Sequence, residues 1–129
     1  MDTTRPPEWM LPFTHPKKLP YGFRSVEWRL DGAAFLGPGH CSVVISGDIR
    51  DDGKRWLHAS IARRDYIPTW SDLQMLRTYW IGEKLYCCMI FPPEDKYVRI
   101  HPHALHLYCC LDSWPIPEMS GVINGLRTI

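Results

Sequence analysis

Hydrophobic and polar residues alternate through the middle of the chain in the pattern of two adjacent β-strands. Between residues 54 and 63, Leu57, Ala59 and Ile61 alternate with polar or aromatic residues, as expected of a strand with one buried face. Residues 41–50 form the preceding strand. An Asp-Asp-Gly turn separates the two and tolerates the positive φ that tight hairpins need. The pattern therefore predicts a β-hairpin.

A helix is predicted after this hairpin. Thr69 is suited to the N-cap position, and Asp72 follows three residues later, as in a capping box. Four large apolar residues recur at helical spacing and form one stripe: Trp70, Leu73, Leu76 and Trp80. Gly82 ends the helix, since glycine is common just after a helix C-terminus. We expect this helix to lie on the sheet through its apolar stripe.

Three more stretches are predicted as strands: residues 23–30, 85–91 and 105–111. Residues 33–40 contain a Gly-Pro-Gly sequence and are predicted as a loop. The stretch 85–91 is apolar on both faces, which favours a central, buried strand. Together these elements predict an α+β fold, a mostly antiparallel sheet of about five strands with one principal helix packed on one face.

The prolines and the element pattern divide the chain into three parts. Residues 1–21 contain five prolines and no sustained apolar periodicity, so we expect an extended, proline-rich N-terminal arm. Residues 22–112 form a single α+β domain, and residues 113–129 form an irregular C-terminal tail.

The composition is that of a globular protein, with 45% hydrophobic and 12% aromatic residues. A net charge of +1 lacks the basic excess of generic nucleic-acid binders, so such binding is not expected. No apolar run approaches the roughly 20 residues that span a bilayer, and residues 1–7 lack the apolar core of a signal peptide. We therefore expect a cytoplasmic protein with no membrane partner, whose five cysteines are reduced.

Four of the six histidines lie between residues 58 and 106. His101, His103 and His106 fall within six residues, and His58 could join them if its strand neighbours the last strand. Three imidazoles and a water would make a zinc site, whereas the same residues could also cap turns or form hydrogen bonds on the sheet. No Cys-x-x-Cys or His-Glu-x-x-His pattern accompanies them. We therefore predict no metal site and no cofactor.

A catalytic alternative rests on His58 and Ser60, which share one face of their strand. Two-histidine phosphoesterases place His-x-Ser or His-x-Thr on two strands facing one cleft, where the imidazoles act as general acid and base. The second motif is incomplete here, because Tyr108 stands two residues after His106 where serine or threonine belongs. The candidate catalytic residues are therefore His58, Ser60 and His106, and binding is favoured over catalysis.

Aromatic and basic residues could form a recognition surface near His58 and His106. Such a set stacks a nucleobase or anchors a protein partner, although the same residues are equally suited to covering the core. The candidate binding residues are Trp56, Trp70, Tyr97, Arg99, His101, His103 and Tyr108.

Residues 56–108 resemble an uncharacterised family of small bacteriophage and prophage proteins, a domain of unknown function. The matching residues are Trp56, His58, Ser60, Pro68, Trp70, Tyr97, Val98, His101, Pro102, Leu105, His106, Leu107 and Tyr108. The chain departs from the family at Tyr108, where tryptophan is more usual, and at Arg99, where asparagine is usual. The resemblance implies a phage or prophage origin and carries no defined activity.

Two functions follow as hypotheses. In the first, this is a small phage accessory protein in the cytoplasm of an infected or lysogenic bacterium. It would bind a host protein or a small nucleotide-like ligand, for host takeover or inhibition of a defence system, and homo-oligomerisation stays open. In the second, it hydrolyses a phosphodiester or nucleotide with His58 and His106, with or without a metal ion.

Overall fold

A computed structural model describes residues 6–64, 68–82, 88–91 and 104–112, the third range by its backbone alone. Several predictions lie outside these described residues. They concern the predicted tail, residues 113–129, and the candidate residues Tyr97, Arg99, His101 and His103.

Six antiparallel strands form a single sheet in the described part of the chain, in the order β1-β2-β3-β4-β6-β5. The strands are β1 Arg24–Arg29, β2 Gly32–Gly37, β3 Cys41–Ile49, β4 Arg55–Ala62, β5 Cys88–Phe91 and β6 Ala104–Cys110. The central hairpin, β3 with β4, and the last strand, β6, are confirmed. The mostly antiparallel sheet is confirmed with one strand more than expected.

The predicted loop at residues 33–40 is wrong, because β2 occupies most of it. The small residues of β2 do not show the bulky apolar alternation of a typical strand. A small residue is nevertheless required at Gly32, because β3 lies very close to it. A Cβ on Gly32 would lie 1.9 Å from the carbonyl oxygen of Ile45 in β3. The Gly-Pro-Gly sequence instead begins at the end of β2 and leads into the turn before β3, where Gly39 has a φ of 73°.

The predicted central position of residues 85–91 is also wrong. β5 is the edge strand of the described sheet, and β6 lies between it and β4. Apolar residues on both faces of a strand indicate that both faces are buried. They do not indicate which strands pair with it on either side. β6 is the strand buried on both faces, since six of its seven residues are buried.

The principal helix begins as predicted. Helix α2 spans Trp70–Leu76 with the Thr69 and Asp72 capping box, and Asp72 also receives hydrogen bonds from the Arg63 side chain. A π-helical turn, Arg77–Ile81, continues it to Gly82, whose φ is 65°. The helix and this turn cover one face of the sheet. The buried residues of this layer include Phe35, Val43, Ile45, Leu57, Ala59, Ile61, Leu73, Leu76, Trp80 and Leu107.

The N-terminal segment is not extended throughout. A 3₁₀ turn, Glu8–Met10, leads into a short helix, α1, at Leu11–Thr14. Proline is compatible with a first helical turn because its missing N–H would have no intrahelical partner there. Met10 and Thr14 are buried, and the Thr14 hydroxyl donates to the Met10 carbonyl at 3.3 Å. In the described part of the chain, no helix combines the length and apolarity that crossing a membrane requires.

The state of the cysteines differs from the expectation that all five are reduced. Cys109 in β6 is disulfide-bonded, whereas Cys41 and Cys110 are free and buried. The backbone register places Cys88 of β5 opposite Cys109. This neighbour could not be inferred from the sequence, because it depends on the order of the strands.

Candidate functional site

The candidate site lies on the sheet face opposite α2. Strand alternation sends Leu57, Ala59 and Ile61 towards the helix, so the residues between them face the other side. Antiparallel pairing then sets Ser46 of β3, His58 of β4 and Tyr108 of β6 side by side across three strands. The next row on this face pairs Ser60 with His106.

Two histidines from different strands are in direct contact at this site. Nε2 of His58 lies 3.1 Å from Nδ1 of His106, with the two rings 15° from parallel. On its other side, Nδ1 of His58 lies 3.5 Å from the Ser46 hydroxyl. Both ring nitrogens of His58 therefore face side chains of the protein itself.

The His58 ring also packs face to face on Tyr108, with centroids 4.4 Å apart and planes 9° from parallel. Burial, and to a smaller extent the neighbouring His106, lower the pKa of His58 to about 4. At neutral pH the His58 imidazole is therefore uncharged. An uncharged ring fits a stacked position in which one nitrogen donates and the other accepts.

A pocket of about 230 Å³ opens beside this cluster. Ser46, His58, Tyr108 and Trp56 contribute to its wall, and three charged residues complete it: Asp31, Asp48 and Arg50. The Arg50 guanidinium lies over the Trp56 ring, 4.7 Å from its centroid, and its Nε is 3.9 Å from Asp48. Among the residues described at this wall, the cation Arg50 therefore contacts an aromatic face and lies near a carboxylate.

The structure brings some of the sequence-predicted site residues together and separates others. Trp56, His58 and Tyr108 line the pocket, and His106 contacts His58 from the adjacent row. Ser60 lies in that same row. Trp70 is elsewhere, at the start of α2, where it packs against the buried core on the helix side of the sheet.

Sequence reasoning missed the residues that the β3 hairpin and the β1–β2 turn contribute. The hairpin of β3 and β4 contributes Ser46, Asp48 and Arg50, and the turn between β1 and β2 contributes Asp31. A signal for Ser46 was present, because counting outward from the predicted Asp-Asp-Gly turn pairs it with His58. Asp31 carried no such signal, since its approach depends on β2 being a strand.

Within the residues that the structure describes, no group of three or more His, Cys, Asp and Glu side chains lies close enough to hold a metal ion. His101 and His103 lie outside these described residues. The described cluster can nevertheless pass a proton along one line, because Ser46, His58 and His106 are consecutive hydrogen-bonding neighbours.

The described residues define an antiparallel sheet with a short helix on one face and a small polar pocket on the other. Residues 48–112 match the family described as a domain of unknown function, DUF7694. This match covers half of the chain, so the chain belongs to that family. No curated protein and no solved structure matches the chain.

Proposed function

We propose that the protein binds another protein, and that the pocket formed by Asp31, Asp48, Arg50, Trp56, His58 and Tyr108, here called the His58 pocket, receives a side chain of that partner. In this proposal it is a small phage or prophage accessory protein. It acts in the cytoplasm of an infected or lysogenic bacterium, where it binds and inhibits a host or defence protein. The resemblance of residues 56–108 to small phage and prophage proteins supports that origin.

The size of the His58 pocket carries the proposal. Sites for small molecules usually enclose about 300–1,000 Å³, whereas this pocket encloses about 230 Å³. A single long side chain fits such a volume. Tryptophan, tyrosine and arginine are also the residues that dominate the energy of protein–protein interfaces, and Trp56, Tyr108 and Arg50 stand together at this pocket.

The charges around the pocket favour a basic side chain from the partner. Asp31 and Asp48 both line the pocket, together with Arg50, whose guanidinium already lies on Trp56 and near Asp48. Arg29, which does not line the pocket, lies 3.8 Å from Asp31. His58 adds no positive charge at neutral pH, because its pKa is about 4. A lysine or arginine of the partner would therefore meet an acidic rim and aromatic walls, which attract cations.

Affinity capture from a bacterial host lysate tests the proposal when wild-type protein is compared with matched variants. Trp56→Ala removes an aromatic wall, and the double variant Asp31→Asn/Asp48→Asn removes the acidic rim. Asp51→Asn, in the exposed hairpin turn, removes the same type of charge away from the pocket. A true partner should be retained by wild type and by the Asp51 variant. Its affinity for either pocket variant should fall by about tenfold or more.

The opposite pattern contradicts the proposal. A partner captured equally by wild type and by both pocket variants would bind some other surface. Analysis of the small molecules that co-purify with the protein tests the alternative that the pocket binds a nucleotide-like ligand. A nucleotide that co-purifies with wild type and is lost from Trp56→Ala would assign the pocket to that ligand instead.

A second candidate function is hydrolysis of a phosphodiester or nucleotide by His58 and His106, with or without a metal ion. The contact between their rings and the nearby Ser46 hydroxyl favours it, since a nucleophile, a base and an orienting group stand in line. Two observations weigh against it. The Ser46 to His58 distance of 3.5 Å exceeds the roughly 2.6–3.2 Å of a productive contact. A pKa of about 4 also makes His58 a weak base.

Hydrolysis of bis(p-nitrophenyl) phosphate, measured with and without added Zn²⁺ or Mn²⁺, tests this second candidate. Turnover that disappears in His58→Gln and His106→Gln, and survives in His40→Gln, would establish the enzyme. Turnover that persists in His58→Gln and in His106→Gln would come from a contaminant and would remove the candidate.

A further inference from the structure

A second and larger cavity lies on the helix side of the molecule, between α1 and the π-helical turn. It encloses about 460 Å³, twice the volume of the His58 pocket. We propose that this cavity binds a small organic anion, a molecule with an aromatic or aliphatic body and one carboxylate, sulfonate or phosphate group. The inference does not depend on the function proposed for the His58 pocket.

The walls of the cavity are suited to an apolar body. Its volume falls within the range of about 300–1,000 Å³ that small-molecule sites occupy. Phe13 and Tyr79 provide aromatic surface, and both are partly buried against the core. Two prolines of the N-terminal segment, Pro12 and Pro16, complete that side. Because such residues lose little conformational entropy on binding, they form a largely preformed site.

The charges at the cavity are of one sign. Lys17 and Lys18 both contribute to its wall, and no acidic residue does so in the described part of the chain. Neither lysine has an ion-pair partner among the side chains that the structure describes. Two ammonium groups that have no acidic partner among the described residues attract an anion to this cavity, and they discriminate against a cation or a neutral ligand.

The backbone around the cavity is also unusual. All the residues from Thr78 to Ile81, which belong to the π-helical turn, line it. π-helical turns are rare and occur frequently at functional sites. Within this turn Trp80 is only 3% exposed, and its indole N–H has no hydrogen-bond acceptor among the described residues. Such a buried, unsatisfied donor is uncommon in a core that serves packing alone.

Two fluorescent probes that share most of their structure separate the two parts of this proposal. 8-Anilinonaphthalene-1-sulfonate carries an anionic group, and N-phenyl-1-naphthylamine has the same aromatic body without it. Wild type should bind the sulfonate saturably, with one molecule per chain. The double variant Lys17→Gln/Lys18→Gln should bind it about tenfold more weakly, because it lacks both charge-assisted contacts, and should bind the neutral probe as wild type does.

Two further variants make the test specific. Lys54→Gln removes one lysine charge at the hairpin turn, far along the chain from the cavity, and should leave both probes unaffected. Phe13→Ala should weaken both probes, since it removes aromatic wall. Circular dichroism identifies any variant that has unfolded. The proposal is overturned if wild type shows no saturable binding, or if the double lysine variant binds the sulfonate as tightly as wild type, because the dye would then occupy an exposed apolar patch.

Discussion

His58 and His106 touch through ring nitrogens, Nε2 to Nδ1 at 3.1 Å, although 47 residues of chain separate them in the sequence. The contact exists because β4 and β6 are neighbours and because both side chains point away from α2. The charge interaction with His106 adds to burial in lowering the pKa of His58. Burial is the larger of the two causes.

The low pKa of His58 makes the folded protein less stable in mild acid. The pKa is about 4 in the folded state against an ordinary value of 6.5, so between these values the unfolded chain binds more protons. Stability is therefore fully present above pH 6.5 and falls as the pH drops towards 4. We expect a loss of about 2 kcal/mol, allowing for the partial exposure of the ring. Urea unfolding at pH 7.0 and pH 5.0 measures it, and His58→Gln should reduce the difference. His40→Gln is the control. If it reduced the stability difference between the two pH values by the same amount, the effect would not be specific to His58.

Removal of His106 should leave the pKa of His58 low. Burial is the larger cause of the shift, and the charge interaction with His106 is the smaller one. We expect His106→Gln to raise the pKa of His58 by less than about one unit, and to a value still below 6.5. NMR titration of the His58 ring protons measures this directly. A pKa that returned to 6.5 would show that the second imidazole, and not burial, keeps His58 neutral.

Asp72 should be far more important for stability than Asp112, although each carboxylate binds an arginine. Asp72 is 5% exposed and accepts hydrogen bonds from Arg63 and from the Thr69 backbone. Asp72→Asn should cost about 3 kcal/mol, because it removes the charge of a buried carboxylate that is paired with Arg63. Asp112→Asn breaks the exposed pair with Arg55 and should cost less than about 1 kcal/mol. Chemical denaturation of both variants tests the ranking, and similar losses would contradict it.

Alanine should be tolerated much better at Gly53 than at Gly32. A Cβ at Gly32 would collide with the backbone of Ile45 and Ser46, so β2 and β3 would have to separate. At Gly53 no atom lies within 4 Å of the new Cβ, and only its φ of 82° is unfavourable. We expect losses of about 3 kcal/mol at Gly32 and about 1 kcal/mol at Gly53. Thermal melts compare the two. Equal losses would mean that the strand separation at Gly32 is inexpensive.

Features that depend on local sequence were predictable. The β3–β4 hairpin and the capping box at Thr69 both arise within a few residues, and the structure contains both. Features that depend on pairing between distant strands were not. The strand β2 was missed because Gly32 and its neighbouring alanines lack the bulky alternation of a strand. The position of β5 at an edge of the described sheet could not be inferred, because it depends on which strands pair with β6.

The candidate site was predictable in part for the same reason. The shared face of Trp56, His58 and Ser60 followed from alternation, whereas the contact of His58 with His106 was conditional on two strands being adjacent. The structure supplies that adjacency. The acidic side of the His58 pocket arises from Asp31 and Asp48, which approach each other only after β2 and β3 have paired. Sequence periodicity gives the orientation of a side chain, and it does not give its distant neighbours.

Trp80 packs against Phe23 and Phe35, with ring centroids 5.7 and 5.3 Å away, and both phenylalanines precede residues 48–112, the stretch that matches the family. A recombinant fragment limited to residues 48–112 would therefore lack both aromatic neighbours of Trp80 and would expose apolar surface to solvent. Such a fragment should aggregate during purification. A protein prepared for biochemical experiments should therefore include the residues before 48.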